Sequence, residues 1–350
     1  MPGSSVSISP ALARVSTSMS QPRAEVDLWL DALLRNHQLP SWLCGDAPDT
    51  DVVVSTRVRV ARNLAGLPFP GASNRKQLLV VAANVRKSLP SDFEERTLIG
   101  DAERALLIGS RLLSPDHALD SVTRSLFVAK DRSASVMVNE EDHLRIQSVA
   151  GGLNTEAAGK RTEALAEGVG AQLPMAATAD RGYLVAWPGN AGKGSRIGVM
   201  LHLGAMAVAR KRPVVPDGFA LRGLLGEGSR GLGGFVQVSA TQRSERELLD
   251  YVRVLIDNER KARETTEFSE ADALDELHGD AELTTEKAVE LVSKLRLRAA
   301  LDRSAPRSPR DYDALFAVLD LRSASGQSAS LKRRSLIRRF LELSLPWQTR

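Results

Sequence analysis

The 350-residue sequence has few of the residues that define several common classes of protein. It contains one cysteine, Cys44, which excludes an internal disulfide framework and a zinc or iron–sulfur site built from several cysteines. Aromatic residues make up only 4% of the chain, and no apolar run reaches the roughly 18–20 residues of a membrane span. We therefore expect a cytoplasmic protein that has reduced thiols and does not cross a membrane.

Lysine is also scarce, because it supplies 10 of the 47 basic residues and arginine supplies the other 37. The formal net charge of +4 is too dilute over this length to predict a nucleic-acid partner. A GC-rich genome is the simplest explanation of the arginine bias. Arginine also offers a planar, permanently charged fork that suits phosphate and carboxylate groups. The positions of the arginines must therefore decide whether the bias is functional.

Composition and periodicity divide the chain into three parts. Residues 1–22 are rich in serine and lack the apolar core of a secretion signal, so we expect a disordered leader, with an organellar presequence as the alternative. Residues 23–264 alternate strand-like and helix-like segments and predict a mixed α/β domain. Residues 270–345 have a helical pattern with arginine-rich faces and predict a smaller helical domain.

Local patterns give the elements of the central part. Helices are predicted over 74–89, 94–113, 154–170 and 242–263, and strands over 51–60, 124–129, 134–138, 144–149, 182–186 and 235–239. In the first strand, Arg57 and Arg59 lie on the face opposite to Val58 and Val60, about 7 Å apart. That spacing suits two phosphates of a nucleotide. For this pair alone, a solvated polar face is the simpler interpretation.

Three consecutive acids end one of the apolar strands, in the run Asn139-Glu140-Glu141-Asp142-His143. Like charges crowd there, and Glu and Asp have a low preference for strands. Conflicts of this kind between sequence and local structure are frequent at functional sites. Ionised carboxylates suit a general base, a cation ligand or a guanidinium clamp. An ordinary acidic turn is the alternative.

Two glycine-rich segments follow. Residues 187–196 (WPGNAGKGSR) end in Arg196 but lack the spacing of a P-loop, although their backbone N–H groups are suited to an anion. Residues 221–234 contain Arg222 and Glu227 among several glycines, which indicates either a mobile lid or a plain surface loop. Arginines combined with a pair of carboxylates are typical of phosphoryl transfer from a nucleotide to a cationic acceptor.

The order and spacing of these motifs resemble those of a known family. STRVRVARN, NEEDHLR, the Pro-x-Asn-x-Gly loop before Arg196, and RGLLGEGS are similar, over roughly residues 40–264, to the ATP:guanidino phosphotransferases, or phosphagen kinases. The bacterial protein-arginine kinases are the most similar branch. The resemblance implies an α+β fold with an antiparallel β-sheet flanked by helices and a smaller C-terminal helical region. It also implies ATP and Mg²⁺.

The resemblance assigns roles to individual residues. Glu141 matches the catalytic carboxylate, and Glu227 matches the second carboxylate that binds the guanidinium. Trp187 and Asn190 fall in the acceptor pocket, and no side chain is expected to bind a metal. Five arginines match those that grip the ATP phosphates: Arg57, Arg59, Arg145, Arg196 and Arg222.

The sequence departs from the family pattern at two places. Trp187 stands where the family has a reactive cysteine, and the tail segment 332–339 lacks the Asp of an Arg-Asp-x-x-Arg-Ala motif. The expected function is phosphorylation of arginine side chains in proteins. A weak or inactive nucleotide-binding relative and a kinase for a free small guanidine are the alternatives. Expected partners are arginine-bearing substrate proteins, an activator protein and a second copy of the chain in a homodimer, but no nucleic acid.

Overall fold

The computed structural model describes most of the chain between residues 39 and 342. The described residues are 39–97, 101–115, 117, 123–187, 191–223, 232–241, 243–267, 277, 282–302, 304–319 and 327–342. The predicted leader (1–22) lies outside these ranges, and so do Asn190 and Glu227.

Eight strands form one antiparallel sheet. They are β1 (Val53–Arg62), β2 (Phe93–Arg96), β3 (Ser125–Ala129), β4 (Ala134–Val138), β5 (Leu144–Gly151), β8 (Ser195–His202), β9 (Phe219–Gly223) and β10 (Phe235–Ala240). Their order across the sheet is β2-β3-β4-β5-β1-β8-β10-β9. A separate short pair consists of β6 (Ala177–Thr178) and β7 (Gly182–Tyr183). The sheet and its flanking helices confirm the predicted α+β class.

Eight helices are described with the sheet: α1 (Arg75–Ser88), α2 (Asp101–Gly109), α3 (Thr155–Gly170), α4 (Gly204–Val208), α5 (Glu245–Arg263), α6 (Thr285–Leu301), α7 (Pro309–Val318) and α8 (Gln327–Glu342). Helices α1 and α5 each begin with a capping box, in which a side chain before the helix and one in its first turn satisfy each other's backbone N–H groups. None of the helices within the described ranges combines the length and apolar character that crossing a bilayer requires.

The two faces of the sheet are covered differently. Apolar residues of α1, α3 and α5 pack on the face that carries Val58 and Val60. On the other face, α2, α6, α7 and α8 pack against residues such as Met137 and Phe235. Arg57 and Arg59 lie on this second face, which is therefore divided between an apolar core and a positively charged area.

The C-terminal helices join the sheet in one continuous core. Leu291 and Phe316 belong to the same buried cluster as Val128 and Met137 of the sheet, and Phe316 stacks on Phe235 with ring centroids 4.4 Å apart. The boundary near residues 264–270 stays a prediction, but the helices beyond it do not pack by themselves.

A buried ion pair also attaches the C-terminal helices to the sheet. Arg296 and Asp313 have no exposed side-chain surface, and Nε of Arg296 lies 2.6 Å from Oδ1 of Asp313. The Arg296 guanidinium also donates to the carbonyl oxygens of Thr50 and Asp51, which precede β1. Helices α6 and α7 are thereby attached to the strand at the centre of the sheet.

Three local predictions were wrong. The helix expected over 94–113 begins only at Asp101, because residues 93–96 pair with β3 as an edge strand. The strand expected over 182–186 is a two-residue strand that pairs with β6 and forms isolated bridges with Gly192. Arg222, expected in a glycine-rich loop, lies in β9, because residues 219–223 pair with β10. Each of these pairings joins segments that are not recognisable from local sequence alone.

Candidate active site

The central strand of the sheet carries two of the predicted arginines. β1 lies between β5 and β8, with Arg57 opposite Val149 and Gly198, and Arg59 opposite Gln147 and Arg196. Because side chains two residues apart share a face of a strand, both guanidinium groups extend to the same side of the sheet. The predicted geometry of this pair agrees with the structure.

Two further arginines reach the same place from β8 and from β9. Arg196 in β8 faces Arg59, and its Nη2 donates to Ser239 Oγ at 2.9 Å. Arg222 in β9 lies opposite Gln237 in β10. A small pocket on the sheet is lined by Arg57, Arg59, Arg196, Ile197, Gly198, Arg222 and Gln237. The antiparallel order of the strands thus brings arginines that are far apart in the sequence, from Arg57 to Arg222, to one surface of the sheet.

The fifth arginine lies on β5, the other neighbour of β1. Arg145 lies at the start of β5, opposite Ala61 of β1, and its Nη1 is 2.8 Å from Oε2 of Glu140. Its positive charge contributes to the lowered pKa values of Arg57 and Arg59, which places it within electrostatic range of both. We refer to Arg57, Arg59, Arg145, Arg196 and Arg222 as the arginine cluster.

The arginine cluster is costly to bury without an anion. Burial lowers the pKa of Arg57 and Arg59 well below the usual arginine value, and the neighbouring guanidinium groups lower these pKa values further. Glu140 is the carboxylate that acts in the opposite direction on both. Because arginine remains protonated in proteins, the site stays positively charged and favours a polyanion. The residues present therefore fit the phosphates of a nucleotide.

Sequence analysis missed another arginine at the base of this site. Arg111 follows α2, has a left-handed backbone with φ of 66°, and is buried. It donates to Ser55 Oγ at 2.8 Å and to Gln237 Oε1 at 2.5 Å, so it holds a residue that lines the pocket. Burial lowers the pKa of Arg111 to about 10. No local motif marked this residue, since its partners are 56 and 126 positions away in the sequence.

The acidic run divides into residues with different contacts. Glu140 is 5% exposed, pairs with Arg145 and accepts a hydrogen bond from the Ser114 hydroxyl. Glu141 is 51% exposed, and its Oε2 lies 3.8 Å from Nη2 of Arg145. Of the two glutamates, Glu141 is therefore the one that an incoming acceptor can reach.

The last two residues of the run hold the loop in place. Oδ1 of Asp142 accepts from the Asn63 amide at 2.6 Å and from the Ala186 backbone N–H at 2.7 Å. Nδ1 of His143 accepts from the Leu64 backbone N–H at 3.1 Å. Burial lowers the pKa of His143, so the neutral ring that accepts this bond is favoured. These contacts attach the acidic run to the end of β1.

Asp142 also positions the residue predicted for the acceptor pocket. Trp187 directly follows Ala186, whose N–H Asp142 binds, and its side chain is 62% exposed. The chain then returns to the sheet at Gly194, whose carbonyl accepts from the Ala61 N–H at 2.8 Å. Asn190 lies outside the described residues, as does Glu227, so their predicted roles rest on sequence.

The described part of this site was compared with the ligand sets that metal ions need. The described residues contain no group of three or more His, Cys, Asp or Glu side chains that could hold a metal. The described part of the site carries guanidinium groups beside carboxylates.

Comparison with known proteins identifies the family. The family model for the ATP:guanido phosphotransferase C-terminal catalytic domain matches residues 80–262. The protein-arginine kinase of Moorella thermoacetica is 33% identical over 290 residues, covering 74% of this chain and 83% of that protein. The chain belongs to the ATP:guanido phosphotransferase family. It is therefore a phosphotransferase with a guanidino acceptor.

A second relative and two solved structures are also similar to this chain. The protein-arginine kinase of Shouchella clausii is 34% identical, covering 67% of this chain and 72% of that protein. Among solved structures, lombricine kinase aligns with a TM-score of 0.53 at 22% identity, covering 66% of this chain and 71% of that one. The duplicated taurocyamine kinase from Schistosoma mansoni aligns with a TM-score of 0.52 at 20% identity, covering 77% and 44%. These structural similarities support the fold assignment.

The family match and the site overlap only in part. Arg145, Arg196 and Arg222 lie inside the matched residues 80–262, whereas Arg57 and Arg59 precede them. The sheet nevertheless places β1 between strands of the matched region, so this pair lies beside Arg196. The family match therefore covers three of the five arginines, and the pairing of β1 with β8 brings the other two beside them.

Proposed function

We propose that the chain transfers the γ-phosphoryl group of ATP to the guanidinium group of arginine side chains in proteins. The observation that carries this proposal is the convergence of five arginines from four strands beside an exposed glutamate, Glu141. The relatives named protein-arginine kinase, at 33–34% identity, favour a protein as the acceptor.

The arginine cluster binds the nucleotide phosphates in this proposal. Its guanidinium groups are already assembled on a rigid sheet, so little reorganisation accompanies the build-up of charge on the transferring phosphoryl group. Arginine suits this role because its planar fork donates two parallel hydrogen bonds to phosphate oxygens. Arg111 and Gln237 support the cluster from below.

Glu141 is proposed to help the guanidinium act as a nucleophile, which it does poorly while it is protonated. The pKa of a guanidinium lies far above neutral pH, so removing its proton at pH 7 costs on the order of 7–9 kcal/mol. A carboxylate that orients the guanidinium and accepts its proton lowers this barrier through positioning and general-base catalysis. Glu227 is the second clamp, a role proposed from the sequence motif alone.

The remaining partners are also proposals. Mg²⁺ would be held by the nucleotide phosphates. A homodimer and an activator protein are predicted from the family resemblance, and substrate proteins follow from the proposed acceptor.

Incubation with ATP labelled on the γ-phosphate tests the proposal. An arginine-rich protein should gain label that is lost in acid, as expected of a P–N bond, and Glu141→Gln should lower the rate by about 10²–10⁴. Glu163→Gln is the matched control, because Glu163 is exposed on α3 and should leave the rate unchanged. If wild type and Glu141→Gln label several substrates equally, the assignment of the base is wrong. If neither labels any, the proposed activity is wrong.

Trp187 supports a second candidate, a nucleotide-binding relative with weak transfer. Its exposed indole can stack on an arriving guanidinium, a contact worth about 0.5–2 kcal/mol, but it cannot supply a thiolate. If the missing thiolate limits the reaction, Trp187→Cys should raise the transfer rate. If stacking matters more, Trp187→Cys should raise KM for the acceptor. Free arginine and a peptide arginine, compared as acceptors, distinguish a small guanidine from a protein substrate.

A further inference from the structure

Gln237 lines the pocket of the arginine cluster and is held by a hydrogen bond from below. Its side chain, on β10, accepts through Oε1 from Nη2 of the buried Arg111 at 2.5 Å. A guanidinium only donates hydrogen bonds, whereas an amide accepts through its oxygen and donates through its nitrogen. Arg111 therefore fixes the orientation of the amide, and Nε2 of Gln237 points away from the guanidinium.

The amide nitrogen of Gln237 lies over the neighbouring strand. A Cβ placed on Gly198 of β8 would lie 2.8 Å from Nε2, so the amide occupies the space that a side chain at position 198 would fill. Gly198 lies opposite Arg57 in the sheet and also lines the pocket. It shares a face of β8 with Arg196, two residues before it. Glycine at this position thus admits the amide nitrogen to the floor of the pocket, among the guanidinium groups.

This nitrogen is available to a ligand. Nε2 of Gln237 makes no hydrogen bond within the part of the chain that the structure describes, and the side chain is half-buried. The two N–H groups of an amide nitrogen are satisfied only by acceptors. Because the arginine cluster beside it favours a polyanion, the acceptor that fits here is an oxygen atom of that anion.

A buried arginine is more than a structural bond to Gln237 needs. Arg111 is 9% exposed, and among the described residues its guanidinium donates only to the neutral side chains of Ser55 and Gln237. Burial lowers the pKa of Arg111 to about 10. Arg111 in turn lowers the pKa of Arg57, so its charge is felt in the pocket. A bound polyanion would compensate this charge, whereas a neutral donor would suffice for a bond that only joins two elements.

The backbone of Arg111 is also held in place. Its φ of 66° is left-handed, and its carbonyl oxygen accepts from Nε2 of the buried Gln147 at 2.8 Å. The guanidinium, and with it the amide of Gln237, is thus positioned before a ligand arrives, which reduces the entropy lost on binding.

We propose that Nε2 of Gln237 donates a hydrogen bond to an oxygen atom of the ATP phosphates, and that Arg111 is the positioning residue that holds the amide in this orientation. The inference rests on the proposed function, because it takes ATP as the anion. It adds an uncharged donor to the five guanidinium groups of the arginine cluster.

Replacing the amide by a carboxylate separates a binding role from a structural one. In Gln237→Glu, one carboxylate oxygen still accepts from Arg111, now in an ion pair, while the other puts an acceptor in the place of Nε2. We expect the dissociation constant of ATP with Mg²⁺ to rise about 10- to 100-fold in isothermal titration calorimetry. The midpoint of urea unfolding without nucleotide should not fall.

Gln172→Glu is the matched control for the added charge. Gln172 is exposed and donates to the carbonyl oxygen of Ser88 at the end of α1, on the face of the sheet opposite to the arginine cluster. This variant should bind ATP as tightly as wild type. If Gln237→Glu fails to fold, Gln237→Met decides the question, because it removes the donor at a similar volume and should raise the dissociation constant about 10-fold.

The role of Arg111 is tested through its dependence on Gln237. If Arg111 acts by orienting the amide, Arg111→Met should weaken ATP binding about threefold less, or better, in a Gln237→Met background than in wild type. Arg111→Lys retains a cationic donor and should keep more of the affinity than Arg111→Met.

Each outcome bears on a different part of the proposal. Weaker binding by Gln237→Glu or Gln237→Met, with the fold retained and with Gln172→Glu unchanged, supports it. Wild-type affinity in both Gln237 variants overturns it and leaves the proposed function intact. Effects of Arg111→Met and Gln237→Met that multiply in the double variant overturn the positioning role. A wild-type chain that binds no ATP contradicts the proposed function and this inference together.

Discussion

Arginine acts in two opposite ways in this protein, and the neighbours of each residue decide which. Arg296 is fully buried but lies against the carboxylate of Asp313, so its charge is compensated and it stabilises the fold. Arg57 and Arg59 are surrounded mainly by other arginines, so their charges are left for a ligand. The abundance of arginine in the sequence could not separate these cases, because the partners come from distant strands and helices.

Replacing one arginine of the cluster should make the protein more stable and weaken its binding of ATP. Arg59→Met keeps a similar volume while removing a half-buried charge that other guanidinium groups repel. We expect the free energy of unfolding without nucleotide to rise by about 1–3 kcal/mol, and the stabilisation by ATP to disappear. Urea denaturation with and without ATP measures both effects. A variant that is less stable than wild type, yet still stabilised by ATP, would contradict the role of Arg59.

At the scale of an element, the acidic run from Asn139 to His143 shows what a sequence can and cannot predict. Its charge density at the end of a strand correctly marked it as unusual, and the family motif pointed to Glu141. The division of labour within the run depends on Asn63, Ala186 and Arg145, which only the fold brings together. Arg111 escaped prediction for the same reason.

Two substitutions in this run should have contrasting effects. Asp142→Ala leaves the Asn63 amide and the Ala186 N–H without their acceptor, so we expect it to lower the free energy of unfolding by about 1–3 kcal/mol. Glu141→Ala removes an exposed side chain and should leave stability within about 0.5 kcal/mol of wild type. Thermal unfolding of the two variants compares them. Equal losses of stability in the two variants would contradict the assignment of a structural role to Asp142 and not to Glu141.

The buried histidine at the end of β8 predicts a pH dependence. His202 is fully buried near Arg296, and burial together with that charge holds its pKa well below the usual value. Below about pH 6.5 the unfolded chain binds a proton that the native His202 does not. Stability should therefore fall with decreasing pH, by up to about 1.4 kcal/mol per unit for this group, with His143 acting in the same direction.

Urea denaturation between about pH 7 and pH 5 measures this dependence. The variant His202→Gln removes the titrating ring and should show a smaller loss of stability over that range. A loss in His202→Gln as steep as in wild type would show that other groups are responsible.

At the scale of the whole molecule, the sequence predicted the α+β class and most helices, since these follow from local periodicity and from the family motifs. It predicted the helical region 270–345 as a smaller domain, which treats the C-terminal helices as separable. The structure packs those helices on the same sheet face as the arginine cluster, in one core with Met137 and Phe235. Packing between distant segments leaves little trace in local sequence patterns.

Removing the C-terminal helices should therefore unfold the catalytic region. A chain that ends at residue 267 would expose the part of the sheet that Leu291 and Phe316 now cover, and leave His202 and Thr50 without Arg296. We expect this truncated chain to be insoluble or to lack a cooperative unfolding transition. Calorimetry of the truncated and full chains tests this. A cooperative transition near that of the full chain would show that the region is an independent domain.

In the proposed function, this site exchanges a phosphoryl group between ATP and an arginine guanidinium. The reverse reaction tests it most directly, because ATP that forms only when the phosphoarginine peptide is present must take its phosphoryl group from that peptide; a mixture without the peptide measures the ATP that arises from ADP alone. The purified chain is mixed with ADP, Mg²⁺ and a phosphoarginine peptide, and ATP is detected by luminescence. We expect wild type and Glu163→Gln to form ATP, and Glu141→Gln to form it more slowly by about 10²–10⁴. The absence of ATP with wild type, or equal rates with Glu141→Gln, would contradict it.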